Sequence, residues 1–340
     1  MKNLAIISSE LETAPAISMP PVVSVRDLDR DDRRRLLKRT PLRTGTKFGF
    51  ALSAIAAALV AVFHRETLFG TGMGGILPLA GLMVILGLLY AHFTELQHEL
   101  LHGHGFRSDA INRALGFVCG LFTLSSYSHY RYHHLAHHRF LGTDRNSEFF
   151  TYPKRGLDGV GKLVLAALDP SRFGTVARRI GRALVGKPIE DVADPLVARQ
   201  VAQEYAAYGL ILAASAVYGV ATGDPFVLIA WIIPLVLVAE PTHFLIELPE
   251  HFGLDAHGMR DVRLNTRSIE ASPLLRWLTN GNNLHTAHHL MAGVPMERCP
   301  ELHRLTRESY GAVEPSYLAF YRKVVAGEIK PFDNARGTLN

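Results

Sequence analysis

Four stretches of this chain carry no charged residue over lengths that matter to a bilayer: 48–63, 67–91, 205–223 and 225–239. A spanning helix needs about 20 predominantly apolar residues. The second and third stretches qualify outright, and the first and fourth qualify once flanking interfacial residues are included. Runs this short also occur as buried helices of soluble proteins, so length alone does not settle the matter. The charge distribution favours the bilayer. Residues 26–47 hold nine Lys/Arg and residues 154–199 hold nine more, whereas 64–66 carries only Arg65 and the Gly223-Asp224-Pro225 turn has neither lysine nor arginine. By the positive-inside rule both chain ends and the long middle segment face the cytoplasm, which gives two helical hairpins, 48–91 and 205–247.

The net charge is +5. Because the basic residues flank apolar segments, they point to lipid headgroups rather than to nucleic acid. Residues 23–47 read as a charged, solvated or headgroup-lying helix. The weaker apolar run 114–128 reads as a helix in the interface or dipping partly into it. Residues 1–25 lack the long apolar stretch and cleavage site of a secretory signal and read as a mostly disordered tail. The two cysteines, Cys119 and Cys299, form no C-x-x-C, which excludes a disulfide framework and a cysteine-rich zinc or iron–sulfur site.

Histidine is the outlier: 17 in all, nine of them between His92 and His138. Three clusters stand out. His98 and His102 follow the second apolar stretch and, if that helix continues, lie one turn apart on one face. His134, His137 and His138 have the spacing H-x-x-H-H, a single patch on a helix. His285, His288 and His289 repeat that spacing about 150 residues later. Clustered imidazoles repel when protonated and make sense as neutral metal ligands.

The first cluster also reads as H-E-x-x-H, the zinc metalloprotease motif with Glu99 as general base. One tetrahedral zinc takes only three or four ligands, which would leave both H-x-x-H-H clusters idle. Two metals sharing eight histidines is the economical reading. Imidazole suits iron, copper, zinc and nickel, so the donor set does not name the metal. His133 competes with His134, since it also lies four residues before His137; the match to the third cluster favours His134.

The order of the clusters resembles the three histidine boxes of the membrane fatty acid desaturase superfamily. The segments HELLHGHGFRSDAINRALG, RYHHLAHHRFLGTD, ELPEHFGL and NTRSIEASPLLRWLTNGNNLHTAHHLMAGVPMERCPELH carry the similarity. It covers residues 45–325 as a membrane domain, with 1–44 as cytoplasmic tail and interfacial helix and 326–340 as a C-terminal tail. The resemblance implies an all-α fold of four transmembrane helices in two hairpins under a cytoplasmic helical cap. It further implies a non-haem centre of two iron ions, consumption of O2, and a ninth histidine ligand after the last hairpin, for which His251 is the matching position. The implied ligands are His98, His102, His134, His137, His138, His251, His285, His288 and His289. Two departures bear on the substrate: Asn146-Ser147-Glu148 stands where relatives often carry Asp-Pro-Glu, and Thr286-Ala287 stands where Val-Glu is common.

Glu99 and Glu250 are candidates to orient imidazole N–H groups, and Asn283 to place a water on a metal. His64 and His257 read as solvent or headgroup residues, His92, His243 and His303 as structural, and His104 and His129 as neighbours of the site. No G-x-G-x-x-G and no iron–sulfur cysteine set is present, so electrons are expected from a separate donor: a ferredoxin, a rubredoxin or a cytochrome b5-like protein. The expected reaction is desaturation of a fatty acyl chain or similar amphiphile in the cell (inner) membrane. The alternatives are a hydroxylase or ketolase of the same architecture acting on an alkane, sterol or carotenoid, an intramembrane zinc protease, and a non-enzymatic metal-binding or transport protein. Some short members of the superfamily act on small amino-acid-like substrates, and the compact chain is compatible with that.

Overall fold

The computed structural model describes residues 27–152 and 156–332, which are mostly helical. The tail expected over residues 1–25 lies outside the described residues, as do 333–340. The first helix, α1 (Arg30–Leu36), starts at Asp29, whose carboxylate accepts from Asp32 N at 2.6 Å. The chain then turns, so the charged segment expected to be one helix over 23–47 is broken. Pro41, suited to a first helical turn, opens α2 (Pro41–Phe63), which is longer than the 16-residue apolar run because it takes in Arg43, Thr44, Thr46 and Lys47.

On α2, Phe48, Ala51, Ile55, Ala58 and Val62 are buried at helical spacing, while Phe50, Val60 and Phe63 face outward. A helix apolar on both faces fits a lipid surround. The short α3 (Arg65–Phe69) leads to α4 (Ile76–Leu101), 26 residues in length. At about 1.5 Å per residue α4 is roughly 39 Å long, against a hydrocarbon core of about 30 Å. Its two halves differ. Leu77 and Val84 are exposed, whereas from Leu89 to Leu101 every residue is buried, including Glu95, Gln97, His98 and Glu99. The apolar half thus suits lipid, and the polar half enters a protein interior.

The next helix, α5 (Asp109–Thr123), is capped by Ser108 and lies along α4. Gln97 Nε2 donates to the carbonyls of Gly116 and Ser125, both at 2.9 Å. A Cβ at Gly116 would meet the Tyr127 ring, and one at Gly120 would meet the Ser125 carbonyl, so this contact needs both glycines. The run 114–128 is therefore divided between a helix packed on α4 and the start of α6 (Tyr127–Phe140). Glu204 seats α6: its carboxylate accepts from Ser126 Oγ at 2.7 Å, Ser128 N at 3.0 Å and Ser128 Oγ at 2.6 Å.

Helices α7 (Val160–Ala167) and α8 (Ser171–Leu184) precede α9 (Pro195–Thr222), where Asp194 caps the first turn and Gly223 ends the helix in the left-handed conformation. Arg65 meets Asp224 at 2.6 Å, joining the turn after α2 to the turn after α9. The chain returns through two π-helical segments, Leu228–Ile232 and Leu235–Ala239, into α10 (Glu240–His251). Pro234 lacks the N–H that an α-helix would direct at the Ala230 carbonyl, and Tyr90 Oη donates to that carbonyl at 2.6 Å. Arg172 of α8 holds Glu240 through contacts at 2.5 and 2.6 Å.

Beyond α10 come α11 (Val262–Asn265), β1 (Ser268–Ile269), α12 (Pro273–Leu278), α13 (His285–Leu290), α14 (Cys299–Thr306), β2 (Val313–Glu314) and α15 (Tyr317–Val325). The two strands pair in parallel, Ser268 opposite Val313. Arg267 donates to the carbonyls of Pro249 and Phe252, fixing this C-terminal layer to the end of α10. Four helical stretches are long and apolar enough to cross a membrane: Arg30–Phe63, Met73–Leu101, Pro195–Thr222 and Leu228–His251.

Candidate metal centre

The end of α4 carries His98 and His102 with ring centroids 5.0 Å apart. Opposite them α6 presents His134, His137 and His138, and α13 brings His285, His288 and His289. His251 is the last residue of α10. The nine histidines fall into two groups. His98, His102, His134, His138 and His288 form one; His137, His251, His285 and His289 form the other, and within each group the nitrogen atoms lie within 4.8 Å of one another. In the first, His134 Nε2 lies 2.8 Å from His98 Nε2, 3.0 Å from His102 Nε2 and 2.9 Å from His138 Nε2. In the second, the Nε2 atoms of His285 and His251 are 3.1 Å apart. The groups touch where His138 stacks on His289, centroids 4.1 Å apart.

Three imidazoles have their outer nitrogen anchored. His137 Nδ1 lies 2.8 Å from Asn146 Oδ1, His251 Nδ1 lies 2.9 Å from the Asn265 carbonyl, and His285 Nδ1 lies 3.2 Å from Asn282 Oδ1. Each anchor takes the ring proton outward and leaves Nε2 as a lone-pair donor, the arrangement metal-binding histidines use. Both ring nitrogens of His288 and of His289 are buried without a hydrogen-bond partner among the described residues. Leaving such atoms unsatisfied costs roughly 1–3 kcal/mol each, and a metal ion bound at one nitrogen of each ring removes that cost for the nitrogen it takes. Burial, reinforced by neighbouring imidazoles, holds His102, His134, His138, His285, His288 and His289 well below the ordinary histidine pKa. Neutral imidazole is the form that binds metal. The residues therefore fit a metal site of all-nitrogen donors.

The carboxylates divide. Glu250 Oε1 accepts from Asn282 Nδ2 at 2.8 Å, and Oε2 lies 3.3 Å from His285 Nε2, so Glu250 borders the second group. Glu99 faces elsewhere: its oxygens accept from Thr44 Oγ1 at 3.1 Å and Asn280 Nδ2 at 2.8 Å. One residue from His98 on a helix, it is rotated off the histidine face and ties α4 to α2 and to the loop before α13. It is not set as the general base a zinc protease needs. Asn283 is likewise engaged, with Nδ2 donating to the Ile269 carbonyl at 2.7 Å and Oδ1 accepting from Thr279 at 3.0 Å. Its neighbour Asn282 lies at the site instead.

Sequence reasoning missed Asn146, Asn282 and the Asn265 carbonyl. Only Asn146 carried a signal, as part of the departure at 146–148. His133 turns from His134 and meets Asp191 at 3.6 Å, in a separate cluster with His129. His92 and His104 are held by the carbonyls of Leu278 and Ala292, each at 2.9 Å. A cavity of about 30 Å³ lies beside both groups, lined by five of the nine histidines together with Tyr130, Phe149 and Phe150.

Membrane-length helices that end in a buried, metal-compatible cage of histidines define a membrane-type protein with a histidine-rich candidate metal centre. The family model for fatty acid desaturase matches residues 75–321, and the chain belongs to that family. No curated protein matches the chain.

Proposed function

We propose that the chain is a membrane-bound, O2-dependent desaturase that introduces a C=C bond into a fatty acyl chain or similar amphiphile, using two iron ions held by the nine histidines. The observation that carries this reading is the division of those histidines into adjacent groups of five and four. One ion cannot use nine donors, whereas two can.

In this reading His98, His102, His134, His138 and His288 hold one ion and His137, His251, His285 and His289 the other. Reduced iron, when bound, supplies the activation of O2 and the oxidising power to remove hydrogen from an unactivated C–H bond. Asn146, Asn265 and Asn282 keep the imidazoles in the tautomer that leaves Nε2 free. Glu250, placed against His285 Nε2, can hold a proton at the edge of the second group. Tyr130, Phe149 and Phe150 give the small cavity an aromatic wall, and Glu148, Glu247 and Glu250 give it a polar one. The basic segments 26–47 and 154–199 support a cytoplasmic location for both ends and the histidine-bearing layer, with two hairpins crossing the cell membrane.

Metal analysis of the purified full-length protein tests the class. About two irons per chain is expected, and one zinc with no iron would overturn the proposal. Lipid and metabolite profiles of cells with and without the gene, in air and without oxygen, identify the substrate. An oxygen-dependent product two hydrogens lighter supports desaturation; an oxygen-dependent alcohol or ketone transfers the assignment to a hydroxylase or ketolase.

A further inference from the structure

A second cavity, of about 660 Å³, opens between the α1–α2 connection and the loop after α4. Its walls include Lys38, Arg39 and Arg107, all exposed, together with His102 and His104. The three cations make no ion pair or side-chain hydrogen bond to any described residue. Nearby basic residues differ: Arg35 and Arg43 are paired with Glu301 and Glu297. Unpaired cations around a concavity raise the local potential and attract anionic partners.

The cavity meets the histidine cage in only one way. Of the nine histidines it touches His102 alone, which is not among the five that line the 30 Å³ cavity. Behind His102, His104 stacks on it, ring centroids 5.1 Å apart and planes within 16°. His102 in turn lies 4.6 Å, centroid to centroid, from His288. His104 is fixed by its contact with the Ala292 carbonyl. A C–H bond must reach the oxidant itself, so this face does not suit the substrate. An electron can pass through stacked rings in van der Waals contact, so the face suits a donor.

We infer that the cavity rimmed by Lys38, Arg39 and Arg107 is the docking site of an acidic one-electron donor protein, which delivers electrons through His104 and His102. This rests on the two-iron oxidoreductase reading above. Each turnover delivers four electrons and four protons to O2. Two of each leave with the two substrate hydrogens. Two electrons come singly from two reduced donor molecules and two protons from water, and two waters and two oxidised donors depart. Charge at such a rim acts mainly on encounter rate and salt dependence.

The test uses full-length, iron-loaded protein in zwitterionic nanodiscs. An acidic [2Fe–2S] ferredoxin and an acidic rubredoxin serve as separate probes, and binding and the rate of enzyme reduction are measured at low and near-physiological salt. The triple variant Lys38→Glu, Arg39→Glu, Arg107→Glu is expected to weaken binding by about tenfold or more and to flatten its salt dependence. Its iron content and reduction by dithionite should be unchanged. Reversal of the exposed Arg178 and Lys187 on the α8 side should have no effect on binding. His104→Leu should leave binding intact and slow reduction by the bound donor.

Unchanged donor binding in the triple variant overturns the proposal, as does failure of the wild type to bind either probe. Loss of association with anionic vesicles, with donor binding intact, makes the cavity a headgroup site and overturns it too. If the triple variant loses its iron, the neutral variant Lys38→Gln, Arg39→Gln, Arg107→Gln decides by the same criteria. Wild-type protein that binds donor but holds no iron rejects the two-iron reading and leaves the docking surface standing.

Discussion

His137 Nδ1 sits 2.8 Å from Asn146 Oδ1, while Asn146 Nδ2 donates to the Ala256 carbonyl at 3.1 Å. The second contact fixes the amide with its oxygen toward the ring, so the His137 proton is held on Nδ1. Asn146→Leu is expected to lower metal affinity by roughly 10–100-fold, and Asn146→Asp, which keeps the acceptor, to retain most of it. Chelator competition on purified protein measures both. Equal affinity in the leucine variant would show that Asn146 does not position His137.

The two groups can be emptied separately. In the two-iron reading, His98→Ala with His288→Ala removes two donors from the five-histidine group and His285→Ala one from the four-histidine group, leaving three in each, and each variant is expected to leave about one iron per chain instead of two. Both should abolish oxygen-dependent turnover. Elemental analysis with Mössbauer spectroscopy distinguishes the sites, and full iron occupancy in either variant would refute the ligand assignment.

The histidine spacing was legible because a helix converts i, i+3 and i+4 into one patch, and α6 and α13 are both helical there. Even the preference for His134 over His133 agrees with where the rings point. What could not be read is what those rings lean on. Asn146 and Asn282 reach their imidazoles through turns, and the Asn265 carbonyl reaches His251 through backbone alone, which no residue type announces. Glu99 illustrates the converse: adjacent in sequence to His98, it belongs to another face of α4. The last apolar stretch, 225–239, stopped short of the real helical segment, Leu228–His251. Its second half is polar because it is enclosed by protein rather than lipid.

Acid should open the cage. His102, His134, His138, His285, His288 and His289 lie well below the ordinary value of 6.5 in the folded chain, and His104 is pushed down to about 4, in each case chiefly by burial. The unfolded chain therefore takes up protons that the folded one does not. Stability is full above pH 6.5 and declines as pH falls below it, by up to about 1.4 kcal/mol per pH unit for each such histidine. Metal binding is lost in the same direction, since protons compete for Nε2. Melting temperature and iron retention should fall together between pH 7 and 5, and a flat profile would contradict this.

Glu204 tests the seating of α6. It is buried and accepts from Ser126, Ser128 and, at 3.3 Å, Arg113. Glu204→Ala leaves those donors without their acceptor and should destabilise the protein by about 3 kcal/mol or more. Glu204→Gln should cost less. Thermal unfolding in detergent measures the difference. If the alanine variant melted like the wild type, α6 would have to be held by its other contacts.

Neither histidine group closes within one contiguous piece of chain. The five-histidine group draws on α4, α6 and α13, and the four-histidine group on α6, α10 and α13. A ribosome adding about 5–20 residues per second leaves the first group one imidazole short until His288 is made, some 150 residues after His138. Four imidazoles on a partly inserted chain already form a site that any available divalent ion can occupy. In the two-iron reading, correct metallation then depends on the order of events at the membrane: α13 must be in place before a metal arrives, and cells rich in zinc should accumulate mismetallated protein when synthesis is slowed.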